Sequence, residues 1–420
     1  MTERQNDIRI DDLASPVLTP MQNMVLGGFA GVELVFSVDA VLGEAKSQTG
    51  LSDFGPEDFV ERLEVWCQAT EEDGGLGPMG RARFFGDMVR YASNRLRFHD
   101  LLKRHPEILD VEIEKPIIIA GLPRSGTTHL VNLIAADQRL RSLPYWESLV
   151  PFPDPAQGDL PKEQDPRYRK CAAEHDILGQ VAPLLRNMHD LAPDHVHEEI
   201  EVGALDFSTY LPDWNATVPR WRDYYYAHDQ RPHYEYMKNV LKALQWLRGP
   251  DRWILKSPQH MEQLGPLIET FPDATVAITH RDPVSVVASA ITMLTYGDRM
   301  RRLKVDPPAV AAYWIDRVEH LLRACVRDRE LLPAEQSIDV LFHEFMASDV
   351  AMVERIYDVA GMPMTDEART SLETYMAENP RGKHGRIVYD LAGDFGVDPD
   401  ALRRRFDFYY ERFPVRLETK

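Results

Sequence analysis

The sequence is poor in cysteine. Its 420 residues include three, Cys67, Cys171 and Cys325, an odd number without CxxC or metal-ligand spacing. This usage excludes a disulfide framework, is typical of a reducing compartment and gives redox chemistry no support. Internal repeats and low-complexity tracts are missing too.

Long apolar runs are also missing. The most apolar early stretch, residues 24–43, contains Glu33 and Asp39, so it predicts packing on the protein or on a partner subunit rather than a membrane-spanning helix. The acidic, polar start MTERQNDIRIDD is unlike a secretory signal. We expect a cytoplasmic protein without integral membrane association, with a homo-oligomer as one option.

Positive charge is scarce. Lysine and arginine number 48 against 67 aspartate and glutamate residues, which gives a net charge of −19. Because nucleic acids and anionic lipids are bound through broad basic surfaces, this balance argues against both as partners. A small anionic ligand must then be met by a few local cations.

The chain is long enough for one large domain with an extension. We expect an N-terminal arm and helical extension over residues 1–110 and an α/β domain over 111–420. Residues from about 150 to 250 predict a helical insertion rich in aromatic side chains. These rings either fill a core or line a lid or acceptor pocket.

The rest of the chain is organised around residues 116–128, PIIIAGLPRSGTT. The β-branched run predicts a buried parallel strand, and residues 127–136 predict a helix. A strand, a tight loop and a helix N-terminus form a cradle whose N–H groups bind an anion between Gly121 and Thr128. The glycine spacing alone is equally compatible with an ordinary capped turn.

This loop lacks the lysine of a nucleotide-triphosphate loop, G-x-x-x-x-G-K-[ST]. Gly121 and Gly126 have the required spacing, but Thr127 stands in place of the lysine. The cation, Arg124, lies inside the loop instead. This arrangement is typical of a site that has no terminal phosphate to clasp.

Further strands are predicted along the chain, each followed by a helical pattern. They cover residues 140–146, 253–255, 275–279 and 338–342. The alternation predicts an α/β fold of the P-loop-containing nucleotide-binding kind, with a central parallel sheet flanked by helices.

Ligands of an open parallel sheet bind at the carboxyl ends of the strands. The residues at or just after those ends, in chain order, are Arg124, Glu147, residues 256–260 and Arg281. A glycine-spaced tail loop, RGKHG, adds Arg381 and Lys383. The sequence therefore predicts a compact cationic site in an anionic chain.

Together these residues resemble a known family. The sequence is similar to sulfotransferases that use 3′-phosphoadenosine-5′-phosphosulfate (PAPS), of the bacterial type whose loop reads PRSGTT, over residues 55–415. GLPRSGTTHL resembles the 5′-phosphosulfate loop, HRDPVSVVAS the 3′-phosphate segment and RGKHG the basic loop that closes over the nucleotide. The resemblance implies transfer of a sulfuryl group from PAPS to a hydroxyl, or less readily an amine, releasing adenosine 3′,5′-bisphosphate without a metal.

The resemblance also implies which residues hold the donor. The 5′-phosphosulfate is assigned to the loop residues Arg124, Ser125, Gly126, Thr127 and Thr128. The 3′-phosphate is assigned to Arg281 and Ser289, eight positions apart, and closure of the site to Arg381 and Lys383. A salt bridge from Arg281 to Asp282 or to another acid is the alternative.

Catalytic roles follow from the same resemblance. Arg124 and Lys256 are expected to stabilise charge on the leaving phosphate, unless Lys256 is a strand-end lysine in solvent. Glu147 is the first candidate for the base, because relatives with this loop carry a glutamate at about this interval. Pairing of Glu147 with Arg124 or Arg141 is the alternative.

Histidines are the other candidates for the base. They are His260 and, in the cluster DHVHEEIE, His195 and His197, which are candidates to line the acceptor site. The cluster lacks the H-E-x-x-H order of a zinc-binding helix, so we predict no metal site.

Two other functions stay open. One is a small-molecule kinase with the same loop fold, against which the missing lysine counts. The other is a non-catalytic nucleotide-binding protein. The aromatic insertion favours a small, hydrophobic or ring-bearing acceptor, such as a phenol, a sterol-like alcohol, a lipid or a glycolipid.

Overall fold

The fold is built on a central sheet. The computed structural model describes residues 7–158, 160–250, 252–383 and 385–418. Its strands are β1 (Asp7–Arg9), β2 (Ile117–Gly121), β3 (Leu140–Arg141), β4 (Arg252–Lys256), β5 (Thr275–His280), β6 (Ser337–Leu341) and β7 (Arg386–Val388). The central sheet has the order β3-β4-β2-β5-β6 with parallel neighbours throughout. This confirms the predicted α/β fold.

Helices precede, interrupt and cover the sheet. Before β2 they are α1 (Pro20–Phe29), α2 (Val38–Thr49), α3 (Phe59–Glu72) and α4 (Pro78–Arg104). Between β2 and β4 they are α5 (Thr127–Ile134), α6 (Tyr145–Leu149), α7 (Pro166–Val181), α8 (Leu185–Met188), α9 (Ile200–Gly203), α10 (Pro212–Asn215), α11 (Pro219–Ala227) and α12 (Arg231–Leu247). After β4 they are α13 (Leu264–Thr270), α14 (Pro283–Arg301), α15 (Pro307–Asp328), α16 (Phe342–Ala347), α17 (Asp349–Val359), α18 (Asp366–Glu378), α19 (Leu391–Phe395), α20 (Pro399–Arg405) and α21 (Asp407–Arg412).

Both faces of the sheet are buried, which explains the continuous apolar run of β2. Side chains alternate between faces along a strand, so Ile118 and Ala120 join one hydrophobic core and Ile117 and Ile119 join the other. The second core contains residues of α5, α17 and α18, whereas the first reaches from α3 and α4 to α21. Parallel sheets covered on both sides have strands of this composition.

The predicted second strand was too long. β3 ends at Arg141, and the chain turns into α6 at Tyr145. The physical reason is Pro144, which has no N–H group to donate to a strand ladder and takes the N-cap position of the helix. Glu147 therefore lies on a short helix and not at the end of a strand.

Buried charges tie the N-terminal helices to the insertion. The carboxylate of Asp206 accepts hydrogen bonds from Arg62 at 2.8 Å and from Arg95 at 2.7 Å. It also lies 2.6 Å from Nδ1 of His233 on α12. The aromatic rings of the insertion mostly fill this same core, including Phe207, Tyr210, Trp221, Tyr225 and Tyr234. The division of the chain at residue 110 stays a prediction.

The N-terminal arm pairs with the C-terminal part of the chain. β1 pairs in parallel with β7, with Ile8 opposite Ile387. Arg9 adds a 2.6 Å ion pair with Asp394 of α19. The arm therefore supports the segment that follows the basic RGKHG loop.

No helix in the described part of the chain is both long enough and apolar enough to cross a bilayer.

Candidate active site

The loop after β2 is shaped by positions that favour glycine. A Cβ atom at Gly121 would lie 1.9 Å from Oγ1 of Thr279, its neighbour on β5. Gly126 has φ +91° and lies against the Phe342 ring. Arg124 has φ +70°, a left-handed conformation that is uncommon for residues other than glycine. This backbone turns the chain sharply from the strand into α5.

The helix that follows presents its N-terminus to the loop. The N-cap residue of α5 is Gly126, so no side chain of the cap covers the first N–H groups. The positive end of the helix dipole adds to the attraction for an anion. Gly126, Thr127 and Thr128 lie at this N-terminus, and their binding of the 5′-phosphosulfate stays a prediction.

Ser125 is bonded to residues of the loop and of β5, and its binding of the 5′-phosphosulfate stays a prediction. Its side chain is buried, and its hydroxyl donates to the Leu122 carbonyl at 2.6 Å and lies 2.6 Å from the hydroxyl of Thr279. The N–H group of Ser125 also donates to Leu122, at 3.2 Å. Ser125 therefore braces the loop from inside.

Arg124 reaches across the loop to α14. Its Nε donates to Oγ of Ser289 at 2.9 Å, and Nη1 donates to the carbonyl of Met188. Ser289 in turn donates to the hydroxyl of Tyr389 at 2.9 Å. The predicted loop cation and the predicted 3′-phosphate serine thus lie side by side.

Arg281 joins the same place from the end of β5. Its Nη1 donates to the carbonyl of Arg124 at 2.6 Å, and its guanidinium lies 4.1 Å from the centre of the Phe342 ring. Its Nε and Nη2 donate to the carboxylate of Glu418. Arg281 thus forms a salt bridge to another acid, which was the alternative to phosphate binding in the sequence analysis. Two arginines from different strand ends therefore meet at the loop.

The basic tail loop is linked to α5 through Asp349 of α17. Arg381 pairs with Asp349 and donates to the Met346 carbonyl at 2.9 Å. Asp349 also lies 2.9 Å from the ring of His129, the residue after Thr128. Lys383 is exposed on the same loop, and His384 of the RGKHG motif lies outside the described residues. The loop is thus connected to the helix N-terminus through one carboxylate.

Lys256 lies at the carboxyl end of β4, opposite Ile119. Its side chain is 1% exposed, which excludes the strand-end lysine in solvent, and its ammonium group pairs with Glu198. Burial raises the pKa of Glu198, and the positive charge of Lys256 opposes that rise. The site thus holds a buried cation beside a carboxylate that is easier to protonate than an ordinary glutamate.

His260 has no free ring nitrogen. Its Nε2 lies 2.5 Å from a carboxylate oxygen of Glu199, and its Nδ1 lies 2.8 Å from the hydroxyl of Tyr234. The other oxygen of Glu199 accepts the backbone N–H of Lys256 at 2.7 Å. With its ring 2% exposed, His260 positions Glu199 and Lys256, and the prediction that it acts on the substrate has no support in this geometry.

The segment that carries Glu198 and Glu199 is held by the loop helix. Asn132 of α5 accepts the N–H of Val196 at 2.9 Å and donates to the carbonyls of Val196 and Thr128. On its other side the segment pairs with residues 143–145, where the backbone N–H of His197 donates to the Leu143 carbonyl at 2.8 Å. Donor loop and carboxylate segment are therefore coupled through one amide side chain.

Three histidines lie around this buried cation. Burial, together with the charges of Lys256 and Arg124, lowers the pKa of His189 to about 3. Burial and Lys256 also lower the pKa values of His195 and His197. The His189 and His197 rings lie 5.7 Å apart, centre to centre. At neutral pH these rings are uncharged and line the site as weak bases.

Glu147 lies elsewhere. Its buried carboxylate accepts hydrogen bonds from Arg141 at 2.7 Å and from Arg248 at 2.9 Å. Arg141 stands opposite Trp253, three residues before Lys256, and therefore about 10 Å from the carboxyl end of β4. The alternative of pairing with Arg141 is correct, and the structure gives Glu147 no place as the base.

Sequence reasoning did not assign Glu198, Glu199, Tyr389 or Glu418 to the site. The signal for the first two was present as adjacent carboxylates after HVH, which were weighed only as metal ligands. Tyr389 follows the basic loop, and Glu418 lies near the end of the chain, where no motif points to it.

The relation to other proteins is consistent with this geometry. The Stf3 protein of Mycobacterium tuberculosis, an omega-hydroxy-beta-dihydromenaquinone-9 sulfotransferase, is 24% identical over 282 residues, 63% of this chain and 68% of Stf3. The crystal structure of sulfotransferase STF1 from M. tuberculosis H37Rv has a TM-score of 0.78 at 28% identity, over 89% of this chain and 98% of STF1.

A second crystal structure matches still more of the chain. Sulfotransferase STF9 from Mycobacterium avium has a TM-score of 0.82 at 26% identity, over 93% of this chain and 100% of STF9. The sequence profile of the sulfotransferase family matches residues 116–366, more than half of the chain and the part that contains the loop, Lys256, Arg281 and Ser289. The chain belongs to the sulfotransferase family.

Proposed function

We propose that this sulfotransferase takes its sulfuryl group from PAPS and transfers it to a hydroxyl group of a hydrophobic acceptor. The observation that carries the donor assignment is the meeting of Arg124 and Arg281, joined by a 2.6 Å hydrogen bond, at the N-terminus of α5. A donor with anionic groups at two positions matches two cations that come from different strand ends.

The two anionic ends of the donor are assigned to different parts of this site. The N–H groups of Gly126, Thr127 and Thr128 face the 5′-phosphosulfate, as the family resemblance implies. Arg281 and Ser289 bind the 3′-phosphate, and Arg381 and Lys383 close the nucleotide site. The donor supplies the sulfuryl group and a good leaving group, and no lysine is needed inside the loop.

Lys256 and Arg124 stabilise the charge that develops on the leaving phosphate. Lys256 is placed for this task because it is buried at the end of the strand adjacent to the loop strand. A buried ammonium acts at low dielectric, where it stabilises a developing negative charge more strongly than it would in water. Its backbone is fixed by Glu199, and Glu199 is fixed by His260.

Glu198 is the proposed base. The acceptor oxygen attacks sulfur, the bond from sulfur to the phosphate oxygen breaks, and the acceptor proton passes to the Glu198 carboxylate. Glu198 is favoured over His189 because a group with a pKa of about 3 is a poor proton acceptor, whereas burial raises the pKa of Glu198 towards the working pH. As Lys256 turns to the donor, Glu198 loses its counter-charge and becomes more basic.

The acceptor is proposed to be a hydrophobic alcohol. The relative Stf3 acts on omega-hydroxy-beta-dihydromenaquinone-9, which bears its hydroxyl on an apolar molecule. In this chain the neutral imidazoles of His189 and His197 and the ring of Tyr145 line the site beside Lys256. Uncharged rings suit an acceptor without charge next to the reacting oxygen.

Calorimetry and turnover test the proposal separately. The protein is expected to bind adenosine 3′,5′-bisphosphate without Mg²⁺ and to show no binding of ATP with Mg²⁺. The opposite pattern would establish a kinase-type site. Turnover is measured with isotope-labelled PAPS and a panel of prenylated quinols, sterols, phenols and glycolipids, read by mass spectrometry. Bisphosphate binding without label transfer to any acceptor would favour the non-catalytic alternative.

A further inference from the structure

The end of the chain runs back over the candidate 3′-phosphate position. Glu418 places both carboxylate oxygens on Arg281, at 2.8 Å from Nε and 2.7 Å from Nη2. Its own N–H group donates to Asp282 at 2.8 Å. The contact joins the tail to the residue that directly follows β5, 137 positions earlier in the sequence.

This contact uses the edge of Arg281 that a phosphate would need. The remaining group, Nη1, is turned towards the loop and donates to the carbonyl of Arg124. A guanidinium group binds carboxylates and phosphates through the same pair of parallel N–H bonds. Glu418 and a 3′-phosphate therefore cannot occupy Arg281 in this geometry together.

The segment beyond Phe413 is partly exposed and can detach from Arg281 without unfolding the core. Its last fully buried residue is Phe413, whose ring stacks on His280 with centres 3.9 Å apart. Beyond it Leu417 is 56% exposed, and the Glu418 side chain is 30% exposed. Release of Glu418 therefore exposes no core residue.

We propose that Glu418 is an internal competitor of the donor's 3′-phosphate. This inference rests on the proposed function, since it assumes that Arg281 binds that phosphate. In the free protein the carboxylate neutralises Arg281, and donor binding displaces it. When adenosine 3′,5′-bisphosphate leaves after transfer, Glu418 takes the two N–H groups back, which limits rebinding and favours release of the product.

The expected size of the effect is modest because both side chains are partly exposed. Partly exposed ion pairs shift an equilibrium by at most about fivefold, and a ligand that must displace one loses the same factor in affinity. Glu418→Gln is therefore expected to tighten the binding of adenosine 3′,5′-bisphosphate about two- to fivefold, mostly through faster association, because the contact is present only in the free protein. Adenosine 5′-phosphate, which lacks the 3′-phosphate, should bind as it does to the unchanged protein.

The experiment measures affinity by calorimetry, and association and dissociation rates by stopped flow, on the full chain. A second variant ends the chain at Val415 and should tighten bisphosphate binding to a similar degree. The matched control is Glu411→Gln, which removes one exposed negative charge from α21 and should leave both ligands unaffected. In an Arg281→Ala background Glu418→Gln should change nothing, because the competing partner is gone.

The outcomes separate this inference from the proposed function. If the unchanged protein binds no adenosine 3′,5′-bisphosphate, the donor assignment fails and the competitor fails with it. If it binds, and Arg281→Ala weakens binding while Glu418→Gln does not tighten it, only the competitor is overturned. Equal tightening of adenosine 5′-phosphate would also overturn it, since the tail would then not act at the 3′-phosphate.

Discussion

Lys256 donates a hydrogen bond from its ammonium group to the carboxylate of Glu198, so the cation expected to act on the donor and the proposed base neutralise each other. In the free protein neither side chain is charged and unpaired, which limits the free-energy cost of burying both. Binding of an anionic donor competes for Lys256 and frees Glu198. The base is thereby activated when a donor is present.

Replacing Glu198 by Gln should remove the base and leave the donor site intact. The turnover number is expected to fall by about 10² to 10⁴-fold, the usual contribution of a positioned base. Affinity for adenosine 3′,5′-bisphosphate should not fall, because the ligand then competes with no carboxylate charge for Lys256. Glu235→Gln on α12, exposed and remote, is the control. A variant that turns over normally would assign the base to another group.

The pH dependence of turnover provides a second test of the same pair. Protonation of Glu198 inactivates the base, so kcat/KM should fall on the acidic side with the pKa of Glu198 in the free enzyme, where Lys256 pairs with it. The charge of Lys256 lowers that pKa, so Lys256→Met should shift the acidic limb to higher pH as well as slow the reaction. If Lys256→Met leaves the acidic limb at the same pH, the charge of Lys256 does not act on the catalytic base.

Arg281→Ala should discriminate between ligands with and without a 3′-phosphate. Loss of a charge-assisted contact costs about 2 kcal/mol, which corresponds to about 30-fold in affinity. PAPS and adenosine 3′,5′-bisphosphate are expected to weaken by this factor, whereas adenosine 5′-phosphosulfate should barely change. Equal losses for both kinds of ligand, measured by calorimetry, would remove Arg281 from the 3′-phosphate position.

Glu147→Gln should reduce stability and leave the chemistry in place. Arg141 is fully buried against Glu147 and Trp253, so the substitution leaves a cation without its nearest counter-charge. Breaking a buried pair costs about 3 kcal/mol or more, seen as a lower unfolding temperature at unchanged kcat. The control is Glu163→Gln at an exposed site. A large loss of kcat without loss of stability would restore Glu147 as the base.

Asp206 should make the fold sensitive to acid. Burial alone would raise the pKa of Asp206, but the hydrogen bond from His233 and the charges of Arg62 and Arg95 lower it below the ordinary value of 3.8. A lowered folded pKa gives stability that is present above pH 3.8 and lost as the pH falls through the folded pKa. Asp206→Asn is expected to be less stable at neutral pH and to lose less on acidification, as followed by denaturant unfolding.

Much of the donor side could be predicted from sequence, because its signals are local. A β-branched strand, a glycine-spaced loop and a helix lie within 20 consecutive residues around Arg124, and the carboxyl ends of parallel strands necessarily meet at one edge. Arg281 was found by the same rule, whereas Ser289 was found through the resemblance to the sulfotransferase family.

The acceptor side could not be predicted in the same way. Glu147 lies on the short helix that begins after Pro144, and its partner Arg248 lies 101 positions away. Glu198 meets Lys256 across 58 positions, through an irregular segment that has no periodic pattern. A carboxylate that completes a site from such a distance has no local signature, since only the packing of the insertion decides which acid comes to lie beside the lysine.

The pairing of β1 with β7 bears on how this protein can be shortened. The stretch that matches the family profile, residues 116–366, contains neither strand, and it also omits α3 and α4, which share a core with the insertion. A fragment cut to those limits would expose that core to solvent and would lose the basic loop together with the strand beyond it. The smallest piece expected to fold and bind the nucleotide therefore begins before Asp7 and extends past Tyr409.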